Sequence, residues 1–227
     1  MTAWPTSADD LIAAQRALAS AAADTSHWDP GSRPPAIGAC VVVFARGQTG
    51  RGAHGDQGWA AAAVLRGRGV LADATTATTA GGPYEPGLLA LREGPSLEAA
   101  VRALAVAPDV LLVDATGRDH PRRAGLALHL GAVTGLPTVG VTHRPLLAQG
   151  AWPEDERGAH APLTLDESVV GAWLRTRRGA RPVAVHPGWR TTLAVAIDVT
   201  LHASLGHRTP EVLRHARHLA RIARANG

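Results

Sequence analysis

The chain has 227 residues, 45% of them hydrophobic, which suits one globular domain over 1–227 with a core that needs no disulfide or metal staple. Its one cysteine, Cys40, excludes an internal disulfide, and no run nears the roughly 18 apolar residues of a membrane span, so the expectation is a cytoplasmic protein with no membrane partner. The formal charge is +4 with a pI of about 10.7, and all 23 basic residues are arginine; this excludes lysine-dependent chemistry and favours a polyanionic partner, unless the arginine merely reflects GC-rich coding.

The N-terminus, with Asp9 and Asp10 close by, lacks the cationic start and apolar run of a secretory leader. Residues 7–23 repeat apolar positions at helical spacing, with Ser7 as cap and both aspartates in the first turn. Residues 24–36, with Pro30, Gly31, Pro34 and Pro35, read as a loop. Three extended runs follow at 37–45, 59–65 and 69–78, separated by turns around Gly55, Gly58, Gly67 and Gly69, which predicts an antiparallel meander. Residues 88–105 read as helix interrupted at Gly94-Pro95, with Ser96 as a new cap. A strand at 110–113, a helix over 121–134 and a strand at 138–142 make a βαβ unit with a parallel strand pair. Residues 145–166 are rich in turn formers and charges and receive no element. Strands at 169–175 and 183–185 and helices near 190–204 and 210–225 close the chain. There is no internal repeat, and no long heptad pattern supports a coiled-coil dimer; the sequence leaves the oligomeric state open. A meander, then βαβ, then helices, predicts an α/β, ribonuclease H-like domain whose central mixed sheet is flanked by helices.

Two acids stand where such a fold places chemistry. Asp114 ends the apolar run 110–113, and open α/β sheets bind ligands beyond the carboxyl ends of their strands. Glu93 lies on the helix after Pro83-Tyr84-Glu85-Pro86-Gly87. Converging carboxylates bind Mg²⁺, which holds a phosphate and activates water. Tyr84, the only tyrosine, stands between two prolines that stiffen its loop, a wedge for parting bases or an ordinary surface residue. Gly87 and Gly117 allow backbone to approach a base closely. His120, Arg122 and Arg123 form a cationic cluster that the predicted helix start turns into a phosphate site. Near the C-terminus Arg214, Arg217, Arg221 and Arg224 share one helix face, a phosphate-tracking surface or simply a solvated one.

Longer motifs sharpen this reading. PYEPGLLALRE at 83–93 resembles the PYxPGxLxxRE motif of the endonuclease V family, and VDATGRDHPRRAGLALHLG at 113–131 resembles its VDGxGxxHPRxxGxAxHxG. PTVGVTH at 137–143 is similar to PTIGVAK, GWR at 188–190 to GHR, and GHRTPEVLRHA at 206–216 to the late YRxPEPxRxAD. The resemblance implies Mg²⁺- or Mn²⁺-dependent hydrolysis of a DNA or RNA strand, one phosphodiester 3′ of a deaminated base, chiefly inosine. It puts Cys40, Glu93, Asp114, His120, His143 and Trp189 at catalytic positions, with the metal on Glu93 and Asp114. Substrate falls to Pro83, Tyr84, Pro86, Gly87, Leu89, Gly117, Arg122 and Arg123.

The chain departs from that pattern at the metal. Cys40 stands where the family's first strand has an aspartate, and a thiol is a poor substitute for a hard oxygen ligand. It reads either as a small buried hydrophobe or as part of a softer site, with Asp114 and a histidine, for Zn²⁺ or Mn²⁺. His143 replaces a lysine and is mostly neutral near pH 7. Trp189 replaces a histidine, Ala194 an acid, and Ala115 a glycine whose added methyl would crowd a base pocket; Asp198 and His186 are the candidates to compensate. Three functions follow: an endonuclease V-type nuclease with an altered, weakened centre, a catalytically inactive nucleic-acid-binding homologue, or a structural protein. The Pro-Tyr-Glu-Pro-Gly loop and the arginine cluster at 120–123, neither needed for folding, speak against the last. All reasoning about lost hydrolysis requires Cys40 to lie near Asp114 and Glu93.

Overall fold

A computed structural model describes residues 4–47 and 50–227. Helix α1 (Ala8–Asp24) starts as its sequence requires: the Ser7 hydroxyl accepts the Asp10 N–H at 3.1 Å, and Asp9 and Asp10 fill the first turn. Strands β1 (Ile37–Phe44), β2 (Gln57–Arg66) and β3 (Gly69–Thr79) form the antiparallel meander. Gly58 and Gly69, expected in turns, lie inside β2 and β3. The βαβ unit follows as β4 (Val110–Val113), α3 (Leu126–Thr134) and β5 (Thr138–Thr142), with its two strands parallel.

Helix α2 (Leu89–Arg102) corrects the expected break, because it runs through Pro95. Proline leaves the Leu91 carbonyl without its helical donor. The surroundings offset this: the Gly81 N–H reaches the neighbouring Arg92 carbonyl at 3.2 Å, and Gly94 packs so closely on the Trp4 ring that a methyl there would meet it at 2.4 Å. Ser96 is no cap; its hydroxyl bonds Thr78 Oγ1 at 2.6 Å. Helix α3 starts five residues later than the sequence predicts, since 121–125 form a turn with Arg123 at φ 57° and Gly125 as cap. The unassigned 145–166 segment supplies the edge strand β6 (His160–Leu165), and β7 (Ser168–Leu174) and β8 (Val183–Pro187) complete the sheet. Helices α4 (Leu193–Ala203) and α5 (Glu211–Asn226) follow.

The eight strands run in the order β3-β2-β1-β4-β5-β8-β7-β6. The central pairs β1–β4 and β4–β5 are parallel and the flanking pairs antiparallel. Alternation sends Ala39, Val41, Ala61 and Ala63 into the core beneath α4 and α5. Cys40, Ala60 and Ala62 point into the core beneath α1, α2 and α3. No helix among the described residues is long and apolar enough to cross a membrane.

Candidate active site

Asp114 leaves the carboxyl end of β4, and Cys40 stands beside Val113 on the parallel neighbour β1. Cys40 faces the α2 side, where the helix presents Glu93. The three line one cleft of about 200 Å³, together with Tyr84, Leu89 and Arg217. The juxtaposition that the sequence reasoning required is therefore present. Burial, then the charge of Asp114, pushes the Glu93 carboxyl up to about 8, against a smaller opposing pull from Arg92. Burial, then Glu93 and Asp114, pushes the Cys40 thiol far above its ordinary range. At neutral pH Cys40 is thus an uncharged thiol, packed among Ala60, Ala62, Leu111 and Val113 like a small hydrophobe. Asp114 is half exposed, and its Oδ2 is ion-paired with the guanidinium of Arg217 from α5.

This donor set does not fit a divalent ion. Mg²⁺ takes hard oxygens; here one donor is a buried thiol, and the more exposed carboxylate is already paired with a fixed cation. Among the described residues no three His, Cys, Asp or Glu side chains form a group able to hold a metal, which also removes the softer Cys40–Asp114–histidine site.

Beside this cleft lies a second recess, lined by Tyr84, Pro86, Gly87, Leu89, Ala115, Thr116 and His120. Tyr84 and Leu89 belong to both cavities, so the Pro83–Leu89 loop forms the wall between them. Pro83, Tyr84 and Pro86 are exposed while Gly87 is buried. Arg51 braces the loop: its carbonyl accepts the Tyr84 N–H at 2.6 Å, and its Nε donates to the Tyr84 carbonyl at 2.9 Å. Gly87 adopts φ 80°, a conformation that favours glycine, and three donors converge on its carbonyl. Gln15 Nε2 donates at 3.1 Å, His120 Nε2 at 3.0 Å and Arg122 Nη2 at 2.7 Å.

That cradle corrects the expected phosphate site. His120 is buried, and its Nδ1 accepts the Arg122 N–H at 3.2 Å, which leaves the ring proton on Nε2, facing Gly87. Burial lowers its pKa to about 4, so it is neutral. Arg122 is spent on Gly87 and on Gln15 Oε1 at 2.6 Å. Arg123 turns away, to the Leu165 carbonyl at 2.9 Å and Asp166 at 3.0 Å. The cluster holds the Pro83–Leu89 loop through the Gly87 carbonyl rather than presenting cations at a helix start.

His143 follows β5 at the Asp114 end of the sheet, where it bonds Thr209 Oγ1 at 3.1 Å. Burial, Arg208 and Arg217 lower its pKa while Asp114 raises it. Trp189 is not gathered there. It follows β8, which runs antiparallel to β5, so its N–H and C=O bond Thr138 at the opposite end of β5. Gly117 is a packing glycine rather than part of the recess, since a methyl there would lie 2.2 Å from the Pro187 carbonyl oxygen. Neither proposed compensator lines the cleft: Asp198 pairs with His202 at 3.3 Å on an exposed face, and His186 is fully buried in β8. Ala194, on an exposed position of α4, does not line it either. Arg214, Arg217 and Arg221, with Arg208, line a broad groove along α5, whereas Arg224 donates to the Phe44 carbonyl at 3.2 Å.

Three residues in this architecture, Gln15, Arg51 and Arg92, escaped the sequence reading, and so did the pairing of Arg217 with Asp114. Gln15 and Arg51 lie far along the chain from the loop they hold. Arg92 is buried, donating to the Gly82 carbonyl at 2.7 Å and Asp56 at 3.0 Å over the Phe44 ring. Arg217 had a readable signal: in the late YRxPEPxRxAD motif, Arg214-His215-Ala216 match R-x-A, and the closing acid falls on Arg217.

Comparison with known proteins is consistent with this geometry. The family model described as Endonuclease V matches residues 21–218. A curated endonuclease V from Streptomyces coelicolor is 44% identical over 167 residues, 72% of each chain. The crystal structure of an endonuclease V from Streptomyces avermitilis superposes with a TM-score of 0.85 at 36% identity, covering 98% of this chain and 95% of that one. The Ciona intestinalis endonuclease V, solved in complex with a 24mer DNA containing an inosine followed by a ribo-adenosine, is 19% identical; its TM-score of 0.76, over 96% of this chain and 98% of that one, speaks to the fold alone. The fold is ribonuclease H-like.

Proposed function

The chain belongs to the endonuclease V family, and from that premise we propose that it recognises a deaminated base, chiefly inosine, in a nucleic-acid strand, with an altered centre that leaves phosphodiester hydrolysis on the 3′ side of the lesion weak. One observation carries this reading: the Tyr84 loop stands between a recess and the Asp114 cleft, touching both. A base turned out of its stack would enter the recess, with the ring of Tyr84 filling the gap it leaves. The strand would then run past Asp114. The Gln15, His120 and Arg122 donors on Gly87 hold the loop in the shape this needs. The Ala115 methyl lines the recess and narrows it.

The alteration rests on the donor chemistry. A neutral thiol at Cys40 and a guanidinium on Asp114 leave little for Mg²⁺ or Mn²⁺ to hold. The pairing of Asp114 with Arg217 favours a second reading, a binding protein that does not cut. Incubation with inosine-containing single- and double-stranded DNA and RNA, with Mg²⁺ or Mn²⁺, tests both. Weak cleavage abolished by Asp114→Ala supports the first reading. Binding without cutting supports the second. No preference for inosine over adenine in any oligonucleotide refutes both.

A further inference from the structure

We propose that Arg217 stands in for the divalent ion, so that the centre holds a nucleic-acid phosphate with no metal bound. This rests on the proposed nucleic-acid reading and deepens it. Arg217 arrives from α5 and pairs with Asp114 Oδ2, on the more exposed of the two carboxylates that line the cleft. Its side chain is 24% exposed, so the guanidinium is partly desolvated without being sealed off. A guanidinium has five N–H donors in a planar fork, and the bond to Asp114 uses one of them, on Nη2. The rest is free to meet phosphate oxygens, as a carboxylate-bound metal would.

Position makes the substitution useful. Arg217 lines the 200 Å³ cleft with Cys40, Glu93 and Asp114, and it also lines the 580 Å³ groove along α5 with Arg208, Arg214 and Arg221. It is the residue the two cavities share. A strand lying in the arginine groove would therefore deliver its phosphate to Arg217 on the way to Asp114. Cys40 fits the same logic. With a fixed cation already on Asp114, a third carboxylate in the buried strand would be an uncompensated charge, and an apolar thiol avoids it.

The test separates metal from phosphate. Mn²⁺ uptake is read by electron paramagnetic resonance on the intact protein, and binding of an inosine-containing single strand by fluorescence anisotropy in EDTA and in Mg²⁺. The wild type should leave the Mn²⁺ signal unchanged and bind the strand equally in both buffers. Arg217→Gln should weaken binding about tenfold and lower the salt slope by about one. Arg217→Lys, which keeps the charge without the fork, should fall between. The double variant Cys40→Asp, Arg217→Asp should take up Mn²⁺; circular dichroism confirms that each variant is folded. Mn²⁺ uptake by the wild type, strand binding that needs Mg²⁺, or an Arg217→Gln protein that binds as well as wild type overturns this inference alone. A strand that binds in neither buffer overturns the proposed function, and this inference with it.

Discussion

Replacing Gly87 by alanine tests whether the recognition loop is held by the cradle around its carbonyl. The residue sits at φ 80°, where a side chain costs about 1–2 kcal/mol. The added methyl would lie 3.3 Å from Arg122 Nη2 and 3.5 Å from Pro121 Cγ, so the guanidinium must shift, and its charged hydrogen bond to Gly87 weakens. Such a bond contributes about 1.5–3 kcal/mol, of which a part is lost. The sum is about 2–3 kcal/mol. With a urea slope of about 2 kcal/mol/M, the unfolding midpoint should fall by about 1 M. Gly135→Ala is the control, since Gly135 has φ 76° but nothing within 4 Å of the added methyl. It should lose about 1 kcal/mol from strain alone. Affinity for an inosine-containing strand should fall about tenfold in Gly87→Ala, the cost of about 1.4 kcal/mol, and stay unchanged in Gly135→Ala. Equal stability losses in the two variants, with equal binding, would refute the cradle.

Acid should destabilise the protein in a defined window. Burial holds His120, His129 and His186 at about 4, below the usual 6.5, so the unfolded chain binds protons that the folded one refuses. Stability should peak near pH 7 and fall from about 6.5 to 4, by up to about 3 kcal/mol per histidine, with the proton that Glu93 holds up to about 8 offsetting roughly one of the three. Loss of that proton should lower stability slightly between about pH 7 and 9, and urea midpoints across the whole range read both limbs. The buried Asp119 carboxylate accepts the N–H groups of Leu146, Leu147 and Ala148 at 2.6, 2.9 and 2.8 Å, so Asp119→Asn should turn one acceptor into a donor facing Leu146. That variant should lose about 2 kcal/mol, with hydrogen exchange rising first in residues 146–148. Tyr84 is 44% exposed, so Tyr84→Ala should leave stability within about 0.5 kcal/mol while erasing the preference for inosine over adenine in a binding assay.

Much of the architecture was legible because local physics decides it. Ser7 with Asp9 and Asp10 specifies a helix start wherever it occurs, and 138–142 is a strand by composition and flanking turns alone. The motif around Tyr84 and the one around Asp114 were both readable in the sequence, and the fold brings them to adjoining cavities. What the sequence could not decide are the effects that act between distant segments. Pro95 should end a helix, yet Trp4, Thr78 and Gly81 support the turn around it. His120 and Arg122 read as phosphate ligands until the chain folds and Gly87 brings its carbonyl to them. Strand direction alone removes Trp189, because an antiparallel β8 delivers it to the opposite end of β5. The identity of Cys40 was plain in the sequence, and so was its conflict with a metal. That Arg217 should meet Asp114 across 103 positions was not, since an ion pair depends on distance in space, which folding sets through sheet order and helix docking.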